Sequence, residues 1–275
     1  MKKNLFYLML LFLSFISCNE DNSMVNAYQD PFLTNNPGSS NKVLSKINYA
    51  EVGEAPYNIF YNWVGGKLMS VSTSNNSTSF NLTYTGSQIS KIIQTTGQGT
   101  QLNTTTSNLV YSNGILASIN GTSVSSTSNS NFTTTITYNG TRPTFIKRNY
   151  TSGSTTVYTE SVAIEYIGAN ISKANTLFGV PSLQLNPIIT FNTYDDKKNP
   201  FLTLPSAFSI SNFFINQDAA ASILGLNLNN FTNVSTSGPG VTPTTEVTVY
   251  TYGTDGYPTK SISPDYTLQY EYINL

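Results

Sequence analysis

Phe132-Thr-Thr-Thr-Ile-Thr-Tyr138-Asn-Gly140, followed by Thr141-Arg-Pro-Thr-Phe-Ile146, holds the plan of the chain. Phe132, Thr134, Ile136 and Tyr138 alternate with Thr133, Thr135 and Thr137. Period-2 alternation of aromatic and β-branched residues is the signature of a strand with one buried face. Asn139-Gly140 is a strong turn dipeptide, and its glycine accepts the positive φ that a tight turn needs. Ile146, eight positions after the tyrosine, lies on the return strand. The stretch therefore reads as a β-hairpin.

The same hairpin recurs along the chain, and an internal repeat outranks any single element as a guide to the fold. Leu82-Thr-Tyr-Thr-Gly-Ser-Gln-Ile89, Val110-Tyr-Ser-Asn-Gly-Ile-Leu116 and Ile164-Glu-Tyr-Ile-Gly-Ala-Asn-Ile171 align with it. Tyr84, Tyr111, Tyr138 and Tyr166 recur at a near-constant interval. Tyr61 precedes the series, Tyr194 continues it at the same interval, and Tyr252 closes it. Ile92, Ile119 and Ile146 each follow their tyrosine by eight positions. Each unit holds two strands, and successive units form an antiparallel meander. The expected fold is all-β: a meander of about ten to fourteen strands, forming a curled open sheet or partly closed barrel. Prolines 181, 187, 200 and 205 punctuate an insertion at about 172–240. Asn216–Gly225 is read there as one short helix, capped by Asp218 and ended by Gly225.

Residues 1–17 read as a signal peptide. Lys2 and Lys3 precede an apolar run, Leu5 to Ile16. That run falls short of the ~20 residues a membrane span needs and matches a secretory core. Phe15-Ile-Ser-Cys18 resembles a lipobox, so Cys18 is the expected lipid attachment site. A plain secretory signal with an incidental cysteine is the alternative. Residues 18–42 form the lipidated N-terminus and a flexible tether containing Pro31, Pro37 and Gly38. Residues 43–275 are expected to be a single domain.

Composition closes several chemistries. The chain has no histidine, and Cys18 is its only cysteine. Disulfides, Ser-His-Asp and Cys-His catalysis, and the common zinc sites are excluded. No cofactor is expected. With Lys2 and Lys3 removed, 13 basic residues fall to 11 against 14 acidic, a net charge of −3. That balance suits no nucleic-acid partner. An integral outer-membrane barrel would also alternate in this way. A lipid anchor would be redundant on it, so a barrel outside the bilayer is the expectation.

The recurring Tyr-x-x-x-Gly-x-Leu turn resembles a degenerate YD-type hairpin repeat. The whole plan resembles Bacteroidota lipoproteins built from tandem β-hairpins, which have a porin-like fold. Glu20 and Asp21 behind the lipobox, Tyr194-Asp-Asp-Lys-Lys-Asn-Pro-Phe201 and Tyr252-Gly-Thr-Asp-Gly-Tyr-Pro258 carry the likeness. The resemblance implies a porin-like fold and an outer-membrane, surface-exposed location. It implies no activity.

Three candidate sites remain. Asp195, Asp196 and Asn199 offer oxygen atoms to calcium, but Lys197-Lys198 opposes the ion and a charged turn is the plainer reading. Glu160, Glu165, Asp195 and Glu246 are the carboxylates that glycoside hydrolysis would need in a facing pair. Trp63 departs from the tyrosine pattern and is the aromatic expected to contact a ligand. The expected role is a non-enzymatic binding or envelope-structural module. Its partners would be the membrane, through the N-terminal lipid, and a glycan or envelope protein. A carrier of lipid within the curled sheet and a polysaccharide-acting enzyme are the alternatives.

Overall fold

The computed structural model describes residues 42–97, 102–152, 155–179, 188–212, 224–240 and 242–275. The signal peptide, Cys18, the tether up to residue 41 and most of the Asn216–Gly225 segment lie outside them. The strands are β1 (Lys42–Glu51), β2 (Tyr57–Val64), β3 (Lys67–Thr73), β4 (Thr78–Thr85), β5 (Gln88–Thr96) and β6 (Asn103–Ser112). They continue with β7 (Ile115–Val124), β8 (Asn129–Asn139), β9 (Arg142–Ser152), β10 (Thr155–Ile167), β11 (Asn170–Gly179) and β12 (Ile188–Lys198). The last are β13 (Asn229–Ser237), β14 (Thr244–Val247), β15 (Val249–Tyr252), β16 (Pro258–Ile262) and β17 (Tyr266–Asn274). The described residues thus hold 17 strands, more than the expected ten to fourteen.

Strands that follow one another in sequence pair antiparallel, β14 and β15 excepted. β1 bonds to β2 on one side and to β17 on the other, so the sheet returns on itself as a nearly closed barrel. An odd number of strands cannot close an up-and-down antiparallel ring. Thr248 resolves this. It separates β14, which pairs with β13, from β15, which pairs with β16. Its N–H still donates to Thr232 O at 3.0 Å. The two strands are halves of one stave, and parity is restored. The belt is thin between β11 and β12, where Lys173, Ala174 and Asn175 pair, and equally so between β3 and β4 and between β16 and β17.

The hairpins share one irregularity. In β8–β9, Thr137 pairs with Phe145 but Tyr138 pairs with Pro143, leaving Thr144 as a bulge. The same shift follows Asn62, Thr83, Val110, Glu165 and Thr251. A bulge inserts one unpaired residue and resets the inward face. This explains the repeat's spacing. The residue five after the aromatic faces inward beside it, and the next inward residue is the eighth. Ile92, Ile119 and Ile146 are accordingly at most 1% exposed. At the β6–β7 turn, Asn113 (φ 52°) and Gly114 (φ 81°) both adopt the left-handed region. That is the geometry of a two-residue hairpin turn.

The apolar face lines the lumen. Leu82, Leu109, Phe132, Ile146 and Val162 are buried there. The outer wall of β4 and β8 carries Asn81, Thr83, Thr133, Thr135 and Thr137, all exposed. A ring of this many staves is too wide for its own side chains to fill, and comparable barrels enclose a channel. Here, described parts of the chain between β12 and β13 occupy it. A 3₁₀ turn (Pro200–Thr203), helix α1 (Ser206–Asn212) and a second 3₁₀ turn (Leu224–Leu226) enter the lumen. Six of the seven residues of α1 are buried, as an interior helix requires. Phe208 meets Phe80 edge-on at 5.4 Å, and Leu44 N–H donates to Thr203 Oγ1 at 3.1 Å.

Gly121 permits the closest wall contact. A Cβ there would lie 2.1 Å from Thr106 O and 2.4 Å from the Phe132 ring. Gly121→Ala should therefore cost about 1–3 kcal/mol through overpacking. A urea denaturation midpoint unchanged from wild type would contradict this.

Candidate functional site

Hairpins splay at the turn end of the barrel. The β3–β4, β5–β6 and β7–β8 ladders stop at Asn81, Asn108 and Thr135. Three positions further on come Tyr84, Tyr111 and Tyr138. Each tyrosine leans across the gap and donates its hydroxyl to a carbonyl of the preceding hairpin. Tyr84 reaches Leu68 O at 3.0 Å, Tyr111 reaches Ile89 O at 3.0 Å, and Tyr138 reaches Leu116 O at 2.9 Å. Tyr166 reaches Pro143 O at 3.0 Å, Tyr194 reaches Ile171 O at 2.5 Å and Tyr272 reaches Pro258 O at 2.8 Å. Leu68, Ile89, Leu116, Pro143, Ile171 and Pro258 are the residues that face the aromatic within their own hairpin, beside the bulge. The next repeat thus caps a carbonyl of the preceding hairpin at the end where the ladder between them has stopped. Tyr111→Phe would strand Ile89 O, at a cost of about 1 kcal/mol. Equilibrium urea unfolding at constant m-value would measure it, and no loss would show that the bond contributes nothing.

Trp63 belongs to this ring. It pairs with Leu68, and its Nε1–H donates to Leu44 O at 2.8 Å. The sequence reading of Trp63 as a departure from the repeat is corrected: Trp63, not Tyr61, holds the repeat's aromatic position. Tyr61 lies one inward step deeper, in the core. Tyr252 is the exception. Its hydroxyl donates to Asp195 Oδ2, which Asn230 Nδ2 also approaches, at 3.3 Å.

Beside four of these aromatics the plug leaves a cavity of about 510 Å³, open at the turn end. Trp63, Tyr84, Tyr111 and Tyr138 form its wall. Leu68, Ile89, Leu116, Ala207, Ile210 and Leu226 form its depth, and Lys67, Gln88, Asn113 and Thr141 its rim. The volume lies within the range of small-molecule sites, and so does the pattern of apolar depth with few polar groups. Neighbouring even-numbered staves are about 10 Å apart, so the aromatics span several ring widths of wall.

The other sequence candidates lie elsewhere. Asp195 accepts from Lys197 N–H at 3.0 Å and Asn230 N–H at 3.2 Å, so it ties β12 to β13. Asp196 turns away to Lys197 Nζ at 3.0 Å, which holds its carboxyl below the usual range. Asn199 caps the first 3₁₀ turn by accepting from Phe201 N–H at 3.0 Å. Glu165 is exposed beside Lys173 at 3.5 Å. Glu246 sits on β14 across from Val234. Glu160 faces inward across from Arg148. Burial pushes its carboxyl up to about 7, against the pull of Arg148 and of hydrogen bonds from Tyr150 and Tyr158. None of these carboxylates lines the cavity. Sequence reasoning did not single out Tyr84, Tyr111, Tyr138 or the plug residues as site residues. The tyrosines' common eight-position offset to a buried isoleucine marks them, but as packing groups.

The sequence matches no family profile and no curated protein. The fold has solved counterparts. A porin-like protein from Bacteroides vulgatus superposes with a TM-score of 0.57 at 13% identity, covering 85% of this chain and 100% of that one. This barrel is porin-like. A porin-like protein from Bacteroides uniformis gives a TM-score of 0.49 at 15% identity, over 84% of this chain and 98% of its own. A membrane-spanning barrel turns an apolar band outward and a polar face inward. In this barrel Asn and Thr face outward on β4 and β8, Phe60, Val110, Val249 and Ile262 are exposed on other strands, and the lumen holds an apolar cluster together with Gln94, Thr134 and Arg148.

Proposed function

We propose that this protein is a non-enzymatic binding module of the cell envelope, held at the outer membrane through acylated Cys18. The observation that carries the binding role is the mouth cavity, walled by Trp63, Tyr84, Tyr111 and Tyr138. Among the described residues its lining has no carboxylate and, in a chain without histidine, no nucleophile–base set. The outer rows of β4 and β8 are polar, as suits a barrel that stands off the bilayer and depends on a lipid for attachment. The porin-like fold accords with an envelope location.

The test is a thermal-shift panel of envelope-derived glycans, amphiphiles and peptides. At least one class should raise the melting temperature of the wild type, saturably. Ala207→Phe, which fills the cavity from α1, should remove that shift. A panel that leaves the wild type unmoved, or that shifts Ala207→Phe equally, would sink the reading.

A further inference from the structure

We propose that the mouth cavity takes the tail of a single-chain amphiphile with an acidic head, the head resting at the rim beside Lys67. This rests on the reading of the cavity as a ligand site and names what it binds.

The depth selects against sugars. Leu68, Ile89 and Leu116 come from the wall, and Ile210 and Leu226 from the plug. The hydroxyls of Tyr84, Tyr111 and Tyr138 are committed to carbonyls, so these rings offer carbon faces to the cavity. A saccharide placed there would bury hydroxyls without partners, at about 1–3 kcal/mol each. An alkyl chain has no such groups and gains from leaving water.

The rim selects the head. Among the described residues, Lys67 is the only charged one in the lining. Its ammonium donates one bond to Gly86 O at 2.6 Å and lies 5.2 Å from the Tyr84 ring. An ammonium carries three donors, so others remain for a carboxylate. Gln88 and Asn113 add amides at the same level.

The chain's course gives the source. The described barrel begins at Lys42, which pairs with Asn274 at this same mouth, and Leu44 O accepts from Trp63 there. The N-terminal segment that carries Cys18 therefore joins the barrel at the cavity's end. A lipid on Cys18 would tether that end to the bilayer, where amphiphiles are concentrated.

Trp63 is the sole tryptophan and reports on the cavity directly. The test uses chain 19–275, since the ring closes within residues 42–275 and this form has no acyl group of its own to compete. Dodecanoate, dodecyl maltoside and maltoheptaose are titrated below micellar concentrations. Dodecanoate should shift Trp63 emission saturably, and dodecyl maltoside should do so more weakly. Lys67→Gln should weaken dodecanoate roughly tenfold while leaving dodecyl maltoside unchanged. Ala207→Phe should abolish both responses. Should that variant not fold, Lys67→Gln at the rim carries the test. A response to maltoheptaose and not to the amphiphiles would overturn the amphiphile and keep the binding role. Equal effects of Lys67→Gln on both amphiphiles would overturn the acidic head. No response to any probe here or in the thermal panel would overturn both proposals.

Discussion

Arg148→Ala should destabilise the barrel by about 3–5 kcal/mol at pH 8. Arg148 is 1% exposed there. Its Nε donates to Thr134 Oγ1 at 2.8 Å, and its guanidinium lies 4.4 Å from the Phe132 ring centre. A third contact, from Nη2 to Ser211 O at 3.4 Å, joins wall to plug. Glu160 is its partner across the β9–β10 ladder. Removing the guanidinium takes a favourable charge from that carboxylate, strands Thr134 Oγ1 and opens a void, and truncating a large buried side chain typically costs this much. Domains are stable by only about 5–15 kcal/mol, so the variant should unfold at much lower urea. The loss should shrink at pH 5, where Glu160 is neutral. A pH-independent loss of about 1 kcal/mol or less, the size of one ordinary hydrogen bond, would contradict this placement.

The pH dependence of the wild type follows from the same pair. The Glu160 carboxyl is raised from 4.5 to about 7 by burial. Between those values the folded state binds more protons than the unfolded one. Stability therefore falls as pH rises from about 4.5 to about 7, and levels off above. The full change is on the order of 3 kcal/mol. Asp196 and Asp255 shift the other way, held down by Lys197 and Lys42. They are exposed, and their effect lies below pH 4, outside this window. Glu160→Gln should flatten the profile. Urea midpoints measured from pH 4.5 to 8 decide it: a wild-type profile that rises through this range would be the wrong sign.

The repeat is legible in the sequence because one physical unit recurs. Period-2 alternation, a turn glycine and an isoleucine at the eighth position all follow from a hairpin with a bulge. Strand number is less legible. The stretch 229–237, Asn-Asn-Phe-Thr-Asn-Val-Ser-Thr-Ser, and the short Thr244–Val247 pair well in the sheet, but their alternation is weak. Within residues 172–240, β11, β12 and β13 are staves, and residues 200–212 and 224–226 between β12 and β13 lie off the wall. Trp63 escapes the pattern because the Trp63–Tyr84 interval is shorter than the interval between successive tyrosines, so Tyr61 looks like the anchor. The difference comes from β3 and β4, 7 and 8 residues long against 10 and 11 for β7 and β8 around a turn of the same length, which no local pattern marks.

The plug is the least legible part. Ser206-Ala-Phe-Ser-Ile-Ser-Asn212 has modest helix propensity, with three serines, an isoleucine and a terminal asparagine. It is helical where the lumen buries it, a case of tertiary context overriding local preference. Among the described residues, the cavity lies between that plug and four aromatics, Trp63, Tyr84, Tyr111 and Tyr138. Such a site is a property of closure, which joins β1 to β17 across the whole length of the described chain.

Whether the mouth is a ligand site is tested most directly by native mass spectrometry of chain 19–275 after exposure to an envelope lipid extract. One adduct per chain is expected, of a mass fitting a single-chain acidic amphiphile, with none on Ala207→Phe. A bare mass for both proteins, or the same adducts on both, would contradict it.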